Sequence, residues 1–253
     1  MSPGIPHYYS SLAAFQGLFA QGNPILTYHK LGPRPRRTRL KGLYVSARLF
    51  RRQLTELRAA GFSSGTLEAC VGPSAERRMV VTFDDGYAST LEHGRESLAE
   101  TSFRAIQFLV ADLLGRTNEW DRSTGEVLEP LMDVAHVRDW LAAGHEIGSH
   151  TLSHPWLTRL PLPAAREEIT GSKKALEDRF GRPVVHFCYP YGDWNDRVRE
   201  LVIEAGYTTA CTTEPGINTT ATDPFALRRI TARYRSRNWK NLWTALWRGW
   251  KTQ

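Results

Sequence analysis

Residues 80–87 read VVTFDDGY. Val80, Val81, Thr82 and Phe83 are β-branched or aromatic, and with Met79 they predict a buried strand over 79–83. The strand runs into Asp84, Asp85 and Gly86. Side chains alternate across a strand. Two adjacent acids at its end therefore face different ways, and can divide the work of binding a cation and handling a proton. Gly86 lets the backbone turn sharply after them. Taken alone, the pair also reads as an Asx-turn or a helix cap.

Outward from this stretch, strand and helix signals alternate. PILTY (24–28) is a short apolar run ending at His29. A basic loop follows, with Arg34, Arg36, Arg37, Arg39 and Lys41 around two prolines. Ser46 is placed to cap a helix whose apolar face carries Leu49, Phe50, Leu54 and Leu57, stopped by Gly61. Further helices are predicted near 88–100, 133–143, 163–180 and 195–205, the last three ending at Gly144, Gly181 and Gly206. Strands are predicted at 105–110, 145–149, 184–189, 207–212 and 225–230. This alternation argues for parallel βα units closing into a barrel or an open sheet. Chemistry in such folds sits at the carboxyl ends of strands.

Two more motifs fall at such ends. In GSHTLSHP (148–155), His150 and His154 stand four apart, a spacing that puts both imidazoles on one side of a single helical turn. An isolated pair of this kind also reads as ordinary surface or core histidines. Asp, His and His together form a facial ligand set that leaves positions open for water and substrate, as a catalytic site requires. In FCYPYGDWN (187–195), Pro190 and Gly192 bracket Tyr191. That turn can aim a backbone N–H at a developing oxyanion, and Tyr189, Pro190 and Trp194 can line a sugar pocket. A plain turn is the alternative.

TFDDG (82–86), HTLSH (150–154) and YPYG (189–192), in this order, resemble the NodB-type polysaccharide deacetylases, carbohydrate esterase family 4, over residues 24–230. The resemblance implies an α/β fold, a distorted (β/α) barrel with mostly parallel strands, fewer than eight of them regular. It implies Asp84 as general base, Asp85, His150 and His154 as metal ligands, and the Tyr191 amide as oxyanion donor. The ion is divalent, Zn2+ by ligand type, with Ni2+, Co2+ or Fe2+ also fitting. The expected reaction removes an N-acetyl group from an amino sugar of a glycan. A related amidohydrolase on a small or lipid-linked molecule, or a glycan-binding barrel without turnover, are the rival readings.

Two departures stand out. Cys188 occupies the place of the family's usual third-motif arginine, so the group that orients the base must come from elsewhere. The family's C-terminal general-acid histidine has no counterpart, since no histidine follows His186. The leaving amine still needs a proton. His29, at the end of the first strand, is the expected acid, in an arrangement similar to a permuted subgroup that includes biofilm poly-N-acetylglucosamine deacetylases. His186 is second choice. His145 is expected to support the metal loop, and His7, His93 and His136 to lie at the surface.

The 253 residues suit one large domain, with 41% hydrophobic and 23% charged residues giving no sign of disorder. The division expected is an extension over 1–23, the deacetylase domain over 24–235, and a Trp-rich amphipathic helix over 236–253. That helix, with Trp239, Trp243, Trp247 and Trp250, could dock on the barrel or lie against a membrane. Net charge is +7, which favours anionic partners such as a charged glycan or lipid phosphate near residues 34–41. Nucleic acid is not expected, because no recognition motif accompanies the charge. Cys70, Cys188 and Cys211 form no CxxC and are expected as buried, reduced thiols. No secretory or membrane-spanning pattern opens the chain, so a cytoplasmic location, either free or peripheral to the membrane, is the expectation.

Overall fold

The computed structural model describes residues 8–73 and 76–233. In chain order its strands are β1 (Ile25–Tyr28), β2 (Lys30–Leu31), β3 (Tyr44–Val45), β4 (Ser63–Ser64), β5 (Arg78–Phe83), β6 (Ala105–Leu109), β7 (Glu146–Ser149), β8 (His186–Cys188), β9 (Thr209–Cys211) and β10 (Ile230–Thr231). The helices are α1 (Gln16–Phe19), α2 (Ala47–Ala59), α3 (Ala88–Thr101), α4 (Val134–Ala142), α5 (Leu162–Phe180) and α6 (Asp196–Glu204). The main sheet runs β10-β1-β5-β6-β7-β8-β9, with β4 paired to β5 beside this path. All its pairings are parallel.

The last segment curls the sheet toward closure. Leu227 bridges Cys211 beyond β9, while three residues later Ile230 pairs with Leu26 of β1. One short stretch thus touches both sheet edges, which is why the predicted strand over 225–230 is reduced to a bridge, a bend and two paired residues. The result is a curled, distorted (β/α) barrel.

Strand alternation sorts the core into two layers. Ile25, Val80, Ile106, Phe108, Cys188, Cys211 and Leu227 fill the barrel interior as one cluster. Leu26, Val81, Phe83, Leu109 and Phe187 face outward into a larger cluster that includes Leu54 of α2, Leu98 of α3, Val137 of α4, Ile169 of α5 and Val202 of α6. Helix α2 starts where expected: the Ser46 hydroxyl accepts from the Leu49 N–H. All three thiols are free and buried.

Residues 8–22 are built into the barrel. The Tyr9 N–H donates to the Thr231 carbonyl at 2.9 Å and the Arg233 N–H to the Tyr9 carbonyl at 2.8 Å. Tyr9, Phe15 and Phe19 join the outer core. The Trp-rich segment 236–253 lies outside the described residues. Among the described residues, no helix is long and apolar enough to cross a membrane.

Candidate active site

The carboxyl ends of β1, β5, β7 and β8 deliver His29, Asp84, Asp85, His150 and Tyr191 to one rim of the barrel. Asp85 Oδ1 lies 3.3 Å from His150 Nε2 and 3.4 Å from His154 Nε2. All three residues are buried. Metal–ligand bonds of about 2.0–2.1 Å in tetrahedral geometry put neighbouring donor atoms about 3.3 Å apart, so these spacings fit a shared cation. The tautomer also fits. His150 Nδ1 is 2.7 Å from the Cys188 carbonyl oxygen, an outer contact that leaves Nε2 to face an ion. Burial pushes Asp85 upward, but hydrogen bonds to His150 and His154 outweigh it and hold its carboxyl well below the usual range.

The two histidines do not meet on a helical turn, as their spacing suggests. Residues 150–154 form an irregular loop. Thr151 and His154 take left-handed backbone conformations (φ 70° and 66°), as does Asp85 (φ 72°). Such conformations are costly for residues other than glycine and concentrate at functional sites. The Thr151 hydroxyl holds the loop by accepting from the His154 N–H at 3.0 Å. Trp120 stacks on the His154 ring at 4.4 Å, and Tyr191 packs against it edge-on at 4.5 Å.

Asp84 is fixed by a residue that motif reading missed. Arg229 donates through Nη1 to Asp84 Oδ1 and through Nη2 to Asp84 Oδ2, both at 2.7 Å. Its Nε donates to the Thr212 carbonyl at 2.8 Å, and Nη2 also reaches Cys188 Sγ at 3.1 Å. Asp84 and Arg229 are 3% and 2% exposed. Burial raises the Asp84 carboxyl, but the Arg229 charge and its donated hydrogen bonds prevail and hold it below the ordinary value. Burial also pushes the Cys188 thiol up to about 11. Cys188 is thus a small neutral neighbour that leaves room for a guanidinium from the far edge of the sheet. The signal in the sequence was an arginine pair set among apolar residues, Phe-Ala-Leu-Arg-Arg-Ile over 225–230.

His29 follows β1 at the rim, its Nε2 3.8 Å from Asp84 Oδ2, with 18% of its side chain exposed. His186 and His145 lie at the other end of the barrel, at the starts of β8 and β7. His186 Nδ1 contacts Thr209 Oγ1 at 2.8 Å, which removes it as an acid at this rim. His145 packs against the Trp140 ring, tilted by 43° at 4.3 Å, and does not support the metal loop.

The third motif divides its residues. Tyr191 is left-handed (φ 60°) in a turn closed by the Gly192 N–H on the Tyr189 carbonyl at 2.9 Å. Tyr189 itself is a correction to the expected sugar wall. It is 1% exposed, and its hydroxyl donates to the Phe225 carbonyl at 3.0 Å. Alternation turns it into the core. Pro190 is buried as well, while Trp194 is half-buried with its indole N–H 3.3 Å from Glu214 Oε1. The aromatic surface beside the metal ligands comes instead from Tyr191, Trp120 and Trp156, the last stacked on Tyr191 at 4.2 Å.

Comparison with known proteins agrees with this geometry. The chain is 24% identical over 156 residues to YxkH of Bacillus subtilis, spanning 62% of this chain and 52% of that one. It is 26% identical over 171 residues to the peptidoglycan-N-acetylglucosamine deacetylase PgdA of Listeria monocytogenes, 67% of this chain and 32% of that one. The chain therefore spans about half the length, or less, of these curated relatives. In structure it superimposes on the Streptococcus pyogenes deacetylase PplD, solved with acetate, with a TM-score of 0.74 at 22% identity, covering 88% of this chain and 97% of that one. That likeness establishes the shared NodB-type fold. A family model for polysaccharide deacetylase matches residues 72–210, more than half of the chain, a span that holds Asp84, Asp85, His150, His154 and Tyr191. On that match, with its motifs gathered on one rim, the chain belongs to the polysaccharide deacetylase family.

Proposed function

We propose that this chain is a metal-dependent hydrolase that removes an N-acetyl group from an amino sugar of a glycan. The reading rests on one juxtaposition: a buried Asp-His-His set with donor spacings suited to one cation, beside a carboxylate clamped by a buried arginine. A divalent ion held by Asp85, His150 and His154, with Zn2+ the best match to one carboxylate and two imidazoles, would acidify the attacking water and polarise the acyl carbonyl.

The chain's own residues do the rest. Asp84, kept ionised and aimed by Arg229, accepts the proton of the attacking water. The Tyr191 amide, set by its left-handed turn, donates to the developing oxyanion. His29 gives a proton to the leaving nitrogen, because an amide anion is too poor a leaving group to depart unaided. Placing the acid at the end of β1 supports membership of the subgroup with a first-strand histidine. The intact set of base, ligands and oxyanion turn favours turnover over passive glycan binding.

The test is acetate release from N-acetylated sugars, oligosaccharides and lipid-linked precursors, with and without chelator. Chelator-sensitive release from at least one glycan is expected. Release that persists after the metal is stripped, or none from any N-acetylated substrate by metal-loaded protein, would refute the reading.

A further inference from the structure

The loop joining β2 to β3 carries Arg34, Arg36, Arg37, Arg39 and Lys41. It is fastened by its backbone. The Arg39 and Leu40 N–H groups donate to Glu126 Oε2 at 2.9 and 2.6 Å. Arg39 also reaches the Thr124 carbonyl through its guanidinium. At the base of the loop, the Tyr44 hydroxyl donates to Glu129. Buried Lys30 lies over the rings of Tyr44 and Tyr87, at 4.9 and 4.5 Å. The loop is therefore held against residues 117–131, the same segment that stacks Trp120 on the metal-binding His154. Basic loop and metal pocket share one wall.

Charge is sorted across that wall. Two of the wall's carboxylates are turned inward: Glu126 and Asp121 are 6% and 8% exposed, Glu126 accepts backbone N–H groups, and Asp121 accepts from Asn118 at 2.8 Å. Arg36, Arg37 and Lys41 are exposed, and none of them forms an ion pair among the described residues. Glu126 and Glu129 are spent on fastening the loop, Glu119 and Asp121 are bonded within their own segment, and the loop's cations are left outward. This gives an electropositive lip at the mouth of the site, which a neutral glycan cannot use. A charged one is concentrated and oriented by it.

We propose that residues 34–41 select anionic glycans, so that the substrate carries phosphate or carboxylate groups close to the N-acetyl sugar that reacts. This rests on the deacetylase reading above. The test compares acetate release from a neutral chitooligosaccharide, the same oligosaccharide carrying a phosphomonoester, and one carrying a uronic acid. The charged forms are expected to show kcat/KM roughly tenfold higher or more at low salt, with the advantage shrinking as NaCl approaches about 0.5 M. The two charged forms tell phosphate from carboxylate. Substitution Arg36→Ala/Arg37→Ala/Lys41→Ala should lower the charged substrates to the neutral rate and leave the neutral rate unchanged.

Equal rates in the unaltered protein, or a preference that survives the triple substitution, would overturn the proposal. If no substrate releases acetate, the deacetylase reading fails, and calorimetric binding of the same oligosaccharides decides the lip on its own. Tighter binding of the charged forms, lost in the triple variant, supports it; equal binding overturns it. A triple variant that loses only its binding to phosphatidylglycerol vesicles, with soluble glycans unaffected, also overturns it, in favour of a membrane surface.

Discussion

Replacing Arg229 with alanine removes the only guanidinium that touches Asp84 among the described residues. Both partners are almost wholly buried, so the carboxylate left behind would be desolvated, with only the more distant His29 at 3.8 Å facing it. Breaking a buried pair on one side costs about 3–5 kcal/mol. For a chain of this size, each kcal/mol lowers the melting temperature by about 2–4 °C, so a loss on the order of 10 °C is expected. The chemistry should suffer separately. With the arginine gone, burial is opposed only by the weaker pull of His29 and His150, so the Asp84 carboxyl rises, the base is protonated over more of the pH range and the acid limb of activity moves to higher pH. Loss of aim adds to this, and acetate release should fall by roughly 100-fold or more. The decisive arm is Arg229→Ala combined with Cys188→Arg. Because Cys188 Sγ lies 3.1 Å from Arg229 Nη2, an arginine at 188 can send its guanidinium into the same space. Partial recovery of activity and of the acid limb is expected. An Arg229→Ala protein with unchanged melting temperature and unchanged pH profile would refute the reasoning.

His29→Gln should lower kcat/KM by roughly 100- to 10,000-fold while metal content measured by elemental analysis stays unchanged; activity within twofold of the parent would remove His29 as the acid. His145 is pushed down to about 4, chiefly by burial and then by the Arg104 charge, from an ordinary 6.5. Above pH 6.5 both folded and unfolded forms are neutral there and the residue adds no pH dependence. Below it the unfolded chain takes up a proton that the folded one refuses, so stability falls as the pH drops from 6.5 toward 4. His145→Gln should flatten that part of a denaturation-against-pH curve, and an unchanged slope would contradict the assignment.

Much of the fold was legible because its signals are local. Gly181 ends α5 in a left-handed cap (φ 64°), Ser46 caps α2, and β5 is a run of β-branched residues. The three motifs lie at strand ends, where topology alone brings them to one rim. What escaped depended on contacts distant in sequence. Arg229 meets Asp84 across 145 residues, and nothing in the residues around it announces the partner. The left-handed residues of 150–154 were invisible because Thr151 and His154 carry no glycine-like signature. Tyr189 was misplaced because an aromatic next to a turn looks surface-facing, whereas alternation puts it on the same side as Phe187, in the helix-covered outer core. His145 and His186 were assigned by nearness in sequence to the motifs, although they stand at the start of their strands and hence at the other end of the barrel.

The most direct test of the whole account is metal content beside acetate release in four proteins: the parent, Asp84→Asn, Asp85→Ala and His154→Ala. The account requires about one divalent ion per parent chain, retention of that ion with loss of most turnover in Asp84→Asn, and loss of both in the other two. An ion that stays bound when His154 or Asp85 is removed, or full activity in Asp84→Asn, would contradict it.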